Sequence, residues 1–315
     1  MPRRYSPARA LGQLLSGVAS ACLAAPALAA TLNLFACEPE WAALARILAP
    51  RANIVSATHA RQDPHDIEAR PALISALRRA DLALCTGASL EAGWLPMLQQ
   101  RAGNPNTLPG KPGMFIAADG LNLIADAHHH PARDKGHVHR EGNPHFQLDP
   151  ARLAQVAARL SERLAQLDPA DASGYRERFM QWQTAWAQQM QAWRQRAQPL
   201  FGKAVLAEHS SFAYLFRWLE LYQVADLEPV PGLPPTLAHL QTLLQRSRDD
   251  PPMAVIQTLY QDPQAGLWIG QRLAIPVLFL PSTVTAEGPT QTLEGLFDHL
   301  IDALVGAAIQ RPRQR

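Results

Sequence analysis

DPADASGYRERFMQWQTAWAQQMQAWRQRAQPL, residues 168–200, places its large apolar side chains at Tyr175, Phe179, Trp182, Trp186, Met190 and Trp193. The intervals are four, three, four, four and three residues, which is one face of an α-helix. Asp168 reads as the cap, Pro169 as a first-turn residue and Pro199 as the terminator. Such a helix covers roughly 30 residues, or ~45 Å. That length suits a helix spanning two domains better than one inside a single domain. The aromatic stripe is expected to pack into a core; lining a ligand groove is the alternative.

Both flanks of this helix alternate strand and helix patterns. On the N-terminal side, TLNLFAC (31–37), NIVSAT (53–58), DLALC (81–85) and GMFIAAD (113–119) read as strands. PEWAALARILA and RPALISALRRA between them read as helices, and DPARLAQVAARLSERLAQL (149–167) is a further helix. On the C-terminal side, KAVLA, VADLEPV, MAVIQTL and PVLFLP alternate with SSFAYLFRWLEL, PPTLAHLQTLLQRS, PQAGLWIGQRL and TLEGLFDHLIDALVGAAI. Strands alternating with helices predict parallel α/β sheets. The expected architecture is α/β. A lobe over residues 30–167 and another over 200–315 are joined by a linking helix over 168–199.

The first 29 residues stand apart. Three arginines, a small and apolar stretch, and Ala27-Leu28-Ala29 form the basic, hydrophobic and cleavage regions of an export signal. An N-terminal core helix is the alternative, and Cys22 sits in a poor lipobox for a lipid anchor. Removing the segment takes away Arg3, Arg4 and Arg9 and no acid. It leaves 26 basic against 27 acidic residues. A near-neutral surface gives no electrostatic reason to expect a nucleic-acid partner. No internal apolar run reaches the ~18 residues of a membrane span.

Six of the eleven histidines fall in HHHPARDKGHVHREGNPH, residues 128–145, within a stretch from 103 to 147 that is rich in Gly, Pro and His. His65, in QDPHDIEARP, follows the second strand. His145, in NPHFQLDP, precedes a helix. His209, in AEHSSFAYLF, directly follows the strand KAVLA. In open α/β sheets, ligands bind beyond the carboxyl ends of strands. Three imidazoles delivered there from both halves of the chain suit Zn2+, with one tetrahedral position left to fill.

Several segments together resemble the periplasmic solute-binding proteins of zinc- and manganese-type ABC importers. They are DPHDIEARPALISALRRADLALCTGASLEAGWLP (63–96), NPHFQLDP (143–150), the His209 segment, LEPVPGLPPTLAHL (227–240) and VLFLPSTV (277–284). The resemblance implies two α/β lobes joined by one long helix, with a metal cleft between them. It implies His65, His145 and His209 as ligands, a membrane permease as partner, a monomeric receptor rather than an enzyme, and a periplasmic location. Many members carry an aspartate after the last strand as fourth ligand. Here that region reads LPSTVTAEG, and Glu208 and Glu287 are the candidate replacements. Three histidines without that carboxylate favour Zn2+ over Mn2+, which prefers oxygen. His128, His129, His130, His137 and His139, in a segment over 127–142, resemble the accessory metal loop of zinc-handling members. An inert solvated loop is the alternative.

Cys37 and Cys85 end the first and third strands. In a doubly wound lobe of order 2-1-3-4 those strands are neighbours about 4.8 Å apart, within the reach of a disulfide. A reduced pair near the cleft is the alternative. Two other functions fit three histidines. One is a secreted zinc hydrolase with Glu208 as general base, although no HExxH motif is present. The other is a periplasmic zinc buffer without a permease.

Overall fold

The computed structural model describes Met1 and residues 31–125 and 141–310. The expected export signal, Cys22, and His128, His129, His130, His137 and His139 lie outside the described residues. The first half runs β1 (Asn33–Ala36), α1 (Pro39–Leu48), β2 (Asn53–Ser56), α2 (Pro71–Arg78), β3 (Leu82–Cys85), α3 (Leu95–Ala102), β4 (Met114–Ile116) and α4 (Pro150–Leu167). α5 (Ala172–Arg196) follows. The second half runs β5 (Ala204–Ala207), α6 (Ala213–Trp218), β6 (Tyr222–Asp226), α7 (Leu237–Arg246), β7 (Val255–Thr258), α8 (Pro263–Leu273), β8 (Val277–Leu280) and α9 (Leu293–Gln310).

Each half forms a four-stranded sheet, ordered β2-β1-β3-β4 and β6-β5-β7-β8. Every pairing is parallel. In both, the chain steps outward from the first strand on one side and then crosses to the other. The carboxyl ends of β1 and β5 therefore open beside the reversal of strand order, where ligands bind in such sheets.

Both faces of each sheet are covered, which explains the near-continuous apolar strands LALC and VIQT, fully buried throughout. One face of the first sheet buries Phe35, Ala83, Leu73, Leu77 and Leu98 beneath α2 and α3. One face of the second buries Leu206, Val255, Leu240, Leu243 and Ile269 beneath α7 and α8. The remaining faces share a single core with α1, α4, α5 and α9. Trp182 stacks on Trp186 at 4.9 Å, and Trp193 stacks on Phe297 of α9 at 5.1 Å. The stripe is thus core, with Tyr175, Trp182, Trp186 and Trp193 all buried. Removing one such indole costs about 3–5 kcal/mol. Because the two lobes share this core, they are not independent bodies on a flexible linker.

The long helix is shorter than the sequence predicts. It has 25 residues, with 3-10 turns at Pro169–Asp171 and Gln198–Leu200 on either side. Asp168 does not cap it, because its Oδ2 accepts from the Tyr175 hydroxyl at 2.9 Å. Asp149 does cap α4, its Oδ1 accepting from Ala151 N and Arg152 N at 2.9 and 3.1 Å. α6 is also shorter than SSFAYLFRWLEL suggests, and β6 begins at Tyr222 rather than Val224. Glu220, in the left-handed region at φ 56°, turns the chain between them.

Cys37 and Cys85 form a disulfide, with Cα atoms 4.8 Å apart. It links the ends of β1 and β3, which pair directly.

Candidate metal centre

The three loop histidines come together. His65, His145 and His209 are 7%, 2% and 4% exposed. Their ring centroids lie 5.5 Å apart for His65 and His145, 5.6 Å for His65 and His209, and 5.3 Å for His145 and His209, each pair edge to face. One ring nitrogen from each lies within 4.8 Å of the others. Tetrahedral Zn–N bonds of ~2.0–2.1 Å put two donors about 3.4 Å apart. Small side-chain adjustments would close the trio on such an ion.

Local hydrogen bonds aim each ring. His65 sits in the loop after β2. Asp63 Oδ1 accepts from His65 N at 3.0 Å and faces its Nδ1 at 2.6 Å. Trp94 Nε1 donates to Pro64 O at 2.9 Å and pins the loop against α3. A Cβ at Gly93 would stand 3.0 Å from the His65 carbonyl oxygen, so a glycine permits that approach. At His145 the pattern recurs, with Asn143 Oδ1 accepting from His145 N at 2.8 Å. Asn143 Nδ2 donates to Ser210 O at 3.0 Å, tying this loop to the second lobe beside His209. These are Asx turns, in which a side-chain oxygen bonds the backbone two residues on.

His209 adopts φ 66°, an uncommon conformation for a non-glycine residue. Asp226, at the end of the neighbouring β6, accepts from His209 N at 3.0 Å. Glu228 Oε2 lies 3.0 Å from His209 Nδ1. Glu228 is itself held, with its N donating to Asp226 Oδ1 and its Oε2 accepting from Gly232 N, both at 2.9 Å. Burial lowers the His209 pKa, while the Glu228 hydrogen bond and charge, with Asp226 and Asp63, raise it. The net position is above the ordinary value. Carboxylates on Nδ1 of His65 and His209 leave Nε2 as the donor for an ion and raise its basicity.

The expected carboxylates are elsewhere. Glu208 precedes His209 by one residue, so it leaves the strand end in another direction. Its Oε2 accepts from Gln257 Nε2 at 2.5 Å, and burial raises its pKa to about 7. Glu287 is exposed in the turn after β8. Neither belongs to the group formed by the three histidines. Asp63, Asn143 and Glu228 did not figure in the sequence reading. Asp63-Pro64-His65 and Asn143-Pro144-His145 share an acceptor–Pro–His pattern that would have found the first two. Glu228 lies 19 residues from His209 and reaches it only through the pairing of β5 with β6.

The family described as ZnuA, zinc-uptake complex component A, periplasmic, matches residues 35–307. The high-affinity zinc uptake system protein ZnuA of Yersinia pestis is 25% identical over 191 residues, 57% of this chain and 60% of that protein. The match thus spans about three fifths of the curated relative. A crystal structure of ZnuA superposes with a TM-score of 0.75 at 20% identity, covering 89% of this chain and 100% of the other. A Mn-bound periplasmic metal-binding protein from Candidatus Liberibacter asiaticus gives 0.71 at 16%, covering 89% and 100%. At these identities the structural likenesses establish the fold.

Proposed function

We propose, since the chain belongs to the family of periplasmic component A of zinc-uptake complexes, that it captures Zn2+ between its lobes and delivers it to the permease of an ABC importer. Residues 1–29 serve as its export signal. Residues 30–167 and 200–315 serve as the two lobes and 168–199 as the link, and the receptor acts as a monomer. His65, His145 and His209 are the proposed ligands. The observation that carries the reading is the meeting of three buried imidazoles from both lobes, two of them backed by carboxylates. Nitrogen donors of this kind favour Zn2+ over Mn2+. The function is capture and release rather than catalysis.

Among the described residues no helix is long and apolar enough to cross a membrane. Capture needs deprotonated imidazoles, so zinc and protons compete for the site. Asp63 and Glu228 hold the rings in place before the ion arrives, which reduces the ordering cost of binding. Wide hinge opening is disfavoured, because α5 and the shared aromatic core bind the lobes together. Release therefore works through local movement of the His65 loop or of the segment around His209 and Glu228. Identical small-angle scattering and identical loop exchange rates with and without zinc would refute that route.

Zinc titration against a competing chelator tests the function. Wild type should bind one tight equivalent, and His65→Ala, His145→Ala and His209→Ala should each lose it. A tight equivalent surviving all three substitutions would overturn the site.

A further inference from the structure

We propose that the small cavity walled by Glu38, Glu40, Gln62 and Thr283 is a second cation site, built for one oxygen-preferring divalent ion such as Mn2+ and separate from the three histidines. Glu38 and Glu40 stand at the start of α1, just beyond the end of β1. Gln62 belongs to the His65 loop, and Thr283 follows β8 in the other lobe. The cavity they share also touches His145 and encloses about 20 Å3, room for one water-sized particle.

The walls hold more negative charge than the protein neutralises. Glu38 and Glu40 are each 2% exposed, and Glu91, behind them, is 3% exposed. Among the described residues, no lysine or arginine forms an ion pair with any of the three. Their hydrogen bonds come from hydroxyl and backbone donors, and Glu38 and Glu91 also hydrogen-bond each other. Thr86 Oγ1 donates to Glu38 Oε2 at 2.8 Å, and Thr283 Oγ1 donates to Glu40 Oε2 at 2.5 Å. Thr86 N and Gly87 N donate to Glu91 at 2.5 and 3.0 Å. Glu38 Oε1 is left over. It is buried and meets no donor, as does Gln62 Oε1 on the same cavity.

Two buried acceptor oxygens without a hydrogen-bond partner, on residues that line one water-sized space, call for a cation or a water. The carboxylates decide between them. Burying several unpaired carboxylates costs several kcal/mol each unless a proton or a cation compensates. Burial holds all three above the ordinary range, with repulsion from neighbouring carboxylates adding to it at Glu38 and Glu40, and brings Glu40 and Glu91 to about 7. Near neutral pH the set is poised to exchange protons for an ion. Its donors are carboxylate, amide and hydroxyl oxygens, which suit hard ions. The histidine trio offers nitrogen, so the two sites differ in the ions they prefer. Since Thr283 and Glu40 belong to different lobes, an ion here would also brace the interface.

The test loads the full chain with one equivalent of Zn2+, titrates Mn2+ and reads free Mn2+ by electron paramagnetic resonance. Wild type should take one further equivalent. Glu38→Gln, nearly isosteric, should weaken it at least tenfold while zinc affinity stays unchanged. In crystals of the zinc-loaded protein soaked in Mn2+, an anomalous peak should stand beside Glu38. No second equivalent in wild type, unchanged Mn2+ affinity in Glu38→Gln, or a Mn2+ peak elsewhere would each overturn the site. In His209→Ala, zinc should be lost while the Mn2+ equivalent remains, so failure of the zinc reading and failure of this one are separable.

Discussion

The Glu228 carboxylate stands 3.0 Å from Nδ1 of His209, although the two residues belong to loops after different strands. The bond fixes which nitrogen of His209 faces the other two histidines. Glu228→Gln keeps the shape and removes the charge. Loss of such a partner typically weakens metal binding 10–100-fold. Zinc titration against a chelator should show that range, and Asp63→Asn should behave alike at His65. Unchanged affinity in both variants would mean that the carboxylates are incidental.

Zinc affinity should fall as pH drops through the imidazole range, ordinarily near ~6.5. The raised His209 pKa brings protons into competition at a higher pH than an ordinary histidine would. Dissociation constants measured between pH 8 and pH 5.5 should therefore begin to rise above pH 6.5. In Glu228→Gln that onset should move to lower pH, because the group that favours the imidazolium is gone.

Stability of the metal-free protein should change with pH in a stated direction. Burial, the largest influence, raises Glu40 and Glu91 from 4.5 to about 7 in the folded state. Between those values the folded chain binds more protons than the unfolded chain, so stability declines as pH rises through that window. Chelator-treated wild type should lose more of its melting temperature between pH 5 and pH 8 than Glu40→Gln does. Parallel curves for the two proteins would contradict the assignment.

Unreduced protein should contain no free thiol at Cys37 or Cys85, by mass spectrometry or thiol titration. The disulfide closes a chain separation of 48 residues, for which loop entropy predicts about 4 kcal/mol of stabilisation. Cys37→Ser with Cys85→Ser should lower the melting temperature and leave zinc affinity within a few-fold, since neither sulfur belongs to the histidine group.

Deleting residues 128–139 should spare the tight zinc equivalent, because His145 and its Asn143 turn lie beyond the cut. What the deletion removes should be weak, additional zinc, visible at high metal and absent at one equivalent. If the tight equivalent disappears instead, the segment supplies a ligand.

Much of the fold could be read before any coordinates. The heptad-like stripe from Tyr175 to Trp193 marked the joining helix. The apolar runs LALC and VIQT marked strands covered on both faces. The ends of the long helix are not legible in the sequence because Asp168, a good cap by type, is engaged by Tyr175 seven residues later. α6 is shorter than its pattern suggests because the helical periodicity of SSFAYLFRWLEL does not reveal that its first residues form the turn holding His209.

The sequence by itself determined which residues could bind metal. Three histidines stand in loops, His65 and His209 after strands and His145 before a helix, two of them in an acceptor–Pro–His pattern whose bonding is local and therefore legible. Only the tertiary structure decided what surrounds them. Glu228 meets His209 through strand pairing. Glu208, the neighbouring carboxylate, turns instead to Gln257. Glu40 meets Thr283 across 243 positions of chain. Contacts between distant segments depend on sheet order and shared packing, and hydrophobic periodicity does not encode which polar side chain will face which. The chain's chemistry is thus written in its motifs, and its charge balance only in its fold.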